Sequence, residues 1–422
     1  MECTSARRYH IVMSYTPDDT GAAASSGYRW VLLGGVWLLY FCFGLMTASM
    51  APLVAPITAE LEIGYSTMGA ILGAWPLVYI AAAIPCGMLL DRLGARTALL
   101  IAALIMGSSG VARGFADNEI VLFAAVGLFG VGGPLISIGA PKLIAQQFEG
   151  ASRGTAMGIY ITGPSLGGIT ALSLTNSVLM PLTGQNWRLV LFIYAGFVAA
   201  SGLLWLAIAN HPAARATFAQ QVDGKTFNLA AFTEILGLRE VRLVLAMSIG
   251  IFFINHGLNN WLPELLRSRG LTPALAGYWA SIPTVVGVAG SLIIPRLATP
   301  ERRIMVMALL FISALLASLL LHADPGPWLA SGLFLQGIAR SSMMTVAILM
   351  LMETPGVPKA RLGLAGGLFF SAAEIGGVLG PLTIGVLSDL THGFTVPLMA
   401  VTGMCLVLLS LIGLLARGRA RA

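Results

Sequence analysis

The chain has 422 residues, 57% of them hydrophobic and only 10% charged, with a formal net charge of +6. Soluble globular domains carry roughly 25% charged residues, so this inventory cannot cover a water-exposed surface, and lipid is the solvent it implies. The fifty glycines and twenty-one prolines lie mostly in or beside apolar runs, where helix packing and kinks use them, which excludes a disordered chain.

In chain order, residues 1–28 are mostly polar and small, with Arg7 and Arg8 too far from the first long apolar run for a compact signal peptide; they read as a flexible cytoplasmic tail. A membrane-crossing helix needs about 20 mostly apolar residues at about 1.5 Å each to cross a hydrocarbon core of about 30 Å. By that ruler spans fall near 30–56, 66–90, 97–116, 119–146, 153–180 and 188–209. A polar interval at 210–240, with His211, Arg215, Asp223, Lys225, Glu234 and Arg239, follows them. Spans then resume near 241–265, 273–297, 304–321, 326–351, 360–388 and 393–416, before a short basic tail. The chain thus divides into a tail (1–28), six spans (29–209), a cytoplasmic linker (210–240) and six more spans (241–422).

Basic residues set the orientation, because Lys and Arg accumulate on the cytoplasmic side of a membrane. With both termini cytoplasmic, the inner segments hold Arg92, Arg96, Lys142, Arg153, Arg302, Arg303, Lys359 and Arg361 among others, and the outer ones only Arg113, Arg188, Arg267 and Arg269. The positive charge is therefore a topology signal. Nucleic-acid binding, which needs an exposed basic face, is not expected. Cys3, Cys42, Cys86 and Cys405 have neither disulfide-framework nor metal-ligand spacing, so no metal site is expected.

The two halves echo each other. Gly87-Met-Leu-Leu-Asp91-Arg92-Leu-Gly94-Ala-Arg96 has a counterpart in Ser291-Leu-Ile-Ile-Pro295-Arg296-Leu-Ala298, which keeps the basic residue and loses the acid. Arg153-Gly154-Thr-Ala-Met-Gly158 is echoed by Arg361-Leu-Gly363-Leu-Ala-Gly366. Such weak parallel symmetry is what two related six-helix bundles leave behind. The glycines Gly158, Gly163, Gly167 and Gly168, with Pro164, give the fifth span minimal side chains and a local kink, suited to a sliding interface or to plain tight packing. Gly376-Gly377-Val-Leu-Gly380-Pro381 is the second-half equivalent.

On these segments the chain resembles the major facilitator superfamily. Gly87 to Arg96 is similar to that family's loop signature between its second and third helices, and Gly158 to Gly168 to its glycine-proline signature in the fifth. Within the family it looks most like the bacterial cyanate-permease and nitroimidazole-transporter group. The resemblance implies an all-α membrane protein of twelve transmembrane helices in two pseudo-symmetric six-helix bundles, in a bacterial inner membrane. It also implies a gating latch at Gly87, Asp91, Arg92, Gly94 and Arg96, in which Asp91 and Arg92 form an ion pair and helix-end contacts that favour the outward-open state. A plain charged turn is the alternative. Members with a proton-coupling signature place an arginine early in the fourth helix, where Phe123 and Val126 stand here, so coupling through that arginine is not expected.

Polar residues at mid-membrane depth are costly, so they mark a cavity or one another. The seventh span carries Asn255 with Asn259, and His256 with Asn260, as i,i+4 pairs on adjacent faces, either ringing a small polar solute or bonding between helices. Resemblance places spans one and seven along the central cavity. Arg340 and Glu374 lie near the midpoints of spans ten and eleven. They are expected to pair with each other or with other polar groups across the bundle, or else to act functionally, Arg340 on an anionic solute and Glu374 on a coupling proton. His256 is a second candidate for that proton, because imidazole titrates near neutrality in water. Tyr40 and Tyr79 are candidates for the cavity wall. Gly163-Pro164-Ser165-Leu166-Gly167 matches a nucleophile-elbow spacing, but that motif needs a strand before its serine. No Walker loop and no HExxH motif occurs. The chain is expected to be no enzyme and to need no cofactor. It reads as a secondary active transporter of a small polar or anionic organic solute, a monomer in the lipid bilayer, with protons as a candidate co-substrate. The alternatives are a facilitative uniporter and a non-transporting receptor or structural protein on a transporter scaffold.

Overall fold

The computed structural model describes residues 27–214, 229–358 and 362–419. The tail before Gly27, much of the linker, and Lys359 and Arg361 lie outside the described residues. Eleven helices among the described residues are long and apolar enough to cross a membrane: α1 (Tyr28–Leu61), α2 (Tyr65–Gly114), α3 (Glu119–Gln147), α4 (Ser152–Leu182), α5 (Trp187–Asn210), α6 (Arg239–Ser268), α7 (Pro273–Leu297), α8 (Arg303–Leu320), α9 (Pro327–Met352), α10 (Leu364–Thr391) and α11 (Thr395–Arg419). A short helix, Leu229–Gly237, precedes α6.

α2 is 50 residues long, about 75 Å if straight and far more than one crossing needs. It is not straight. Gly94, at φ 75° and ψ 161°, breaks it into helices 65–93 and 95–114. A side chain would be strained at that φ, and glycine is not. The loop expected at 91–96 is thus compressed to a corner of one residue. Local signals set other ends in the ordinary way: the Asn118 side chain accepts from the Val121 N–H at 2.9 Å, and Thr272 caps α7 ahead of Pro273.

α1 is regular to Ala48, then passes through a 3₁₀ turn at Ala51–Leu53 that contains Pro52. The break leaves carbonyls without helical partners. Arg113 supplies donors there, to the Met46 carbonyl at 3.1 Å and Ser49 Oγ at 3.3 Å, and the Asn176 amide donates to the Pro52 carbonyl at 3.0 Å. Arg113 is buried among the helices at this break, only 1% exposed, with its guanidinium over the Phe129 ring.

Glycines decide which helices touch through their backbones. A Cβ on Gly44, Gly163 or Gly167 would strike backbone atoms of the partner helix, so α1 and α4 are in near contact. Gly376 and Gly380 do the same between α10 and α6, against Ile249 and Phe253. Two positions of the fifth-span signature behave otherwise: Gly158 faces open space and Gly168 has ordinary room. Nor does Pro164 end the regular helix, which runs from Gly150 to Leu174; the departure from α geometry is a π turn at Thr175–Leu179.

Among the described residues, the close backbone approaches between the two halves cluster toward one end. There Gly69 and Gly73 of α2 lie against the Pro381 and Val378 carbonyls of α10, Gly385 against the Tyr65 carbonyl, and Gly277 of α7 against the Leu172 carbonyl of α4. The same face of α2 continues toward Gly94 through Leu77, Ile84 and Met88, 45 to 49% exposed. On α10, Gly366 and Gly367 likewise have nothing within 4 Å. A cleft therefore opens toward the end that carries Arg92 and Arg96.

Candidate functional site

The polar groups of the second half converge at the head of this cleft. α6 presents Asn255, His256 and Asn259, all half-buried. From the middle of α9, the Arg340 guanidinium donates to Asn259 Oδ1 at 3.1 Å and to Thr284 Oγ1, on α7, at 3.2 Å. The Asn255 amide donates to the Arg340 backbone carbonyl at 3.4 Å. Three helices are thereby tied around one guanidinium. Its partners are neutral, and no carboxylate among the described residues pairs with it. Of the two pairings expected, Arg340 takes the one with other polar groups across the bundle and not the one with Glu374.

Glu374 sits elsewhere in the site. It is 4% exposed, and its Oε2 lies 4.0 Å from His256 Nε2. The His256 ring is stacked between Trp75 of α2, at 5.2 Å, and Phe252, at 5.3 Å. Trp75 belongs to the first half and His256 to the second, so this stack crosses the cleft. Gly377 makes room for the arrangement: a Cβ there would lie 3.1 Å from His256 Nδ1 and closer still to Glu374 Oε2. Two buried acceptors, Glu374 Oε2 and Asn255 Oδ1, have no hydrogen-bond partner. Buried polar groups are ordinarily satisfied, so these two oxygens are exceptions.

The first half contributes aromatic surface. Tyr40 stacks on Tyr160 at 4.7 Å with planes 6° apart, and the Tyr79 hydroxyl is 2.9 Å from Ser137 Oγ. Trp75 meets Phe43 and Phe129 edge to face. Asn260 stands apart from the cluster: 3% exposed, it donates to the His256 carbonyl within its own helix at 2.9 Å. Sequence reading missed Thr284, Tyr160 and Ser137. Thr284 and Ser137 have unremarkable neighbourhoods in the chain, Tyr160 lies inside the fifth-span glycine signature, and only the helix pairing brings each here.

At the open end, Asp91 pairs with Lys142 of α3 at 2.6 Å, correcting the expected pair with its neighbour Arg92, which is exposed. Arg96 donates to the Asn210 side-chain oxygen, while Gly87 has nothing within 4 Å. These contacts stay inside the first half. The closed end is held across the halves by residues that the sequence reading did not single out. The Asp389 carboxylate accepts from the Tyr65 N–H at 2.9 Å, the Ser66 N–H at 2.7 Å and the Ser66 hydroxyl at 2.6 Å. The Tyr65 hydroxyl donates to Glu264 at 2.5 Å, and Glu264 is in turn paired with Arg267 at 2.6 Å. Acids near helix ends, in a chain poor in charge, were the available signal.

Comparison with known proteins gives concordant results. The family model described as Major Facilitator Superfamily matches residues 36–381. The chain is 24% identical over 388 residues to the uncharacterized transporter YycB of Bacillus subtilis (strain 168), covering 90% of this chain and 91% of that one. It is 22% identical over 428 residues to the D-galactonate transporter of Escherichia coli O6:H1, covering 92% and 95%. The solved structure of the nucleoside transporter NupG superposes with a TM-score of 0.74 at 16% identity, over 92% of this chain and 98% of that one.

Proposed function

The chain belongs to the Major Facilitator Superfamily and is a secondary transporter of a small organic solute; from that premise we propose that the solute is an organic anion, held by Arg340 at the head of the cleft. The observation that carries this is a guanidinium at mid-helix, inside the membrane span, whose hydrogen bonds go only to Asn259 and Thr284. A charge at that depth calls for a counter-charge, and a solute carboxylate can supply it bidentately. The unpaired Asn255 and Glu374 oxygens suit donors on the same solute, which favours a hydroxy acid. A relative named for D-galactonate, a polyhydroxy carboxylate, supports that class over the cyanate-like solutes suggested by the finer sequence resemblance.

We propose twelve spans, with the break at Gly94 separating the second from the third, in bundles 29–209 and 241–422 joined by a cytoplasmic linker. Both termini are cytoplasmic in this reading, the cleft faces inward, and the chain acts as a monomer in a bacterial inner membrane. Glu374 carries the coupling proton, with His256 as its neighbour, and binding and release alternate between the sides as the halves rock about the Trp75–His256 stack.

The test is binding and liposome uptake of D-galactonate and related hydroxy acids. R340Q is expected to weaken binding at least about tenfold, the loss of one charge-assisted pair. R340K is expected to recover part of it. Wild-type affinity in R340Q sinks the proposal. Flux that survives collapse of the pH gradient but never runs against the solute's own gradient identifies a uniporter instead.

A further inference from the structure

Away from the cleft, the first half carries a groove that transport leaves unused. It runs between the second part of α2 and α5, with a volume of about 610 Å³. Its floor includes the buried small residues Ala103, Gly107 and Gly202, and its walls the exposed Leu104, Val111 and Leu203. From Leu100 to Val111 it follows the helix for about 16 Å, roughly half of the 30 Å hydrocarbon core and so about the depth of one leaflet.

At the end nearer Gly94 the groove runs into a second hollow of about 250 Å³. The two share Leu100 and Leu206, and the second adds Arg96, Thr97 and Trp205. Here the lining turns polar. The Arg96 guanidinium donates to the neutral Asn210 amide oxygen, and no carboxylate among the described residues pairs with it. Trp205, itself buried, holds the Arg96 backbone by donating to its carbonyl at 3.1 Å. Thr97 is exposed beside it. An apolar trough one leaflet deep, ending at a fixed cation without a counter-ion, has the shape and charge pattern of a lipid molecule.

We propose that this continuous hollow binds one anionic phospholipid from the leaflet on the Arg96 side. An acyl chain lies between α2 and α5, and the phosphate rests against Arg96 and the Thr97 hydroxyl. An apolar hollow inside a bilayer has no polar groups to hold water and fills with hydrocarbon. The basic residue at its mouth selects the charge of the headgroup.

The test uses the purified full chain in detergent, titrated by native mass spectrometry with phosphatidylglycerol, with phosphatidylethanolamine of the same chains, and with inorganic phosphate. Phosphatidylglycerol is expected to bind about tenfold more tightly than phosphatidylethanolamine, and phosphate alone not at all. Ala199, an exposed residue of the groove lining, allows the trough to be filled without disturbing the core. A199F is expected to reduce binding of both lipids about tenfold or more, whereas R96Q removes only the preference for the anionic one. R96K keeps that preference and separates loss of charge from loss of the Asn210 contact. Equal binding of both lipids to the wild type, or undiminished binding by A199F, overturns the proposal. So does a second copy of the chain found seated in the groove.

Discussion

At the scale of single residues, the cleft keeps its two charges apart. Sequence position alone puts Arg340 and Glu374 at matching depths, and pairing with each other or with other polar groups is the economical expectation. The helices instead give Arg340 neutral partners and leave Glu374 beside His256, 4.0 Å away, with one oxygen unpaired. On the proposed reading, this separation leaves one group for the solute and the other for a proton. E374Q preserves shape and removes the exchangeable proton. It is expected to keep solute exchange across liposomes while losing accumulation driven by an imposed pH gradient; E374Q uptake that still follows the gradient takes Glu374 out of the coupling. Asn255, His256, Asn259 and Arg340 were legible as candidates because a polar side chain in an apolar run stands out. Thr284 and Tyr160 were not, since neither residue type is unusual in a span.

At the scale of elements, the glycine signatures mean different things at different positions. Gly167 and Gly376 sit where two helix backbones meet, and a larger side chain there has only backbone to displace. G167L and G376L are each expected to cost at least about 3 kcal/mol, seen as loss of a monodisperse peak or a large drop in thermal midpoint. Gly158 faces open space, so G158A is expected to stay within about 0.5 kcal/mol of wild type. A G158A protein as damaged as G167L contradicts this division. Gly94 is constrained by conformation rather than by space: nothing lies within 4 Å of its Cβ position, yet φ is 75°. G94A is expected to lower stability by about 1–3 kcal/mol, the cost of holding an L-residue at positive φ with extended ψ, measured in the same melts.

At the scale of the whole molecule, the structure is closed at one end and open at the other, and the closed end depends on few polar contacts. Asp389 is the main one, accepting three hydrogen bonds from the start of α2. Bonds to a charged acceptor contribute about 1.5–3 kcal/mol each, so weakening them shifts a two-state equilibrium measurably. Met88, 49% exposed on the open side of α2, reports on that equilibrium. An M88C protein is expected to react with a membrane-impermeant maleimide in inside-out vesicles and not in right-side-out ones. Adding D389N is expected to slow that labelling as the population moves toward the outward-open form. Labelling that D389N leaves unchanged removes Asp389 from the gate.

The sequence by itself determined the placement of the apolar runs, the central polar interval, the family and a shortlist of mid-membrane polar residues. These are local or one-dimensional properties: a span is fixed by the thickness of the bilayer, and a buried polar group shows against its neighbours in the chain. Tertiary structure alone decided the partners. Asp91 binds Lys142 and not Arg92, Arg113 is buried against the Met46 carbonyl and Ser49, and the halves are joined through Tyr65, Ser66 and Asp389, residues more than 300 positions apart in the chain. Hydropathy gives the depth of a residue in the membrane but not its direction around the helix axis or the neighbour it faces. Those depend on backbone approaches set by glycines on different helices, and they exist only once the helices have packed.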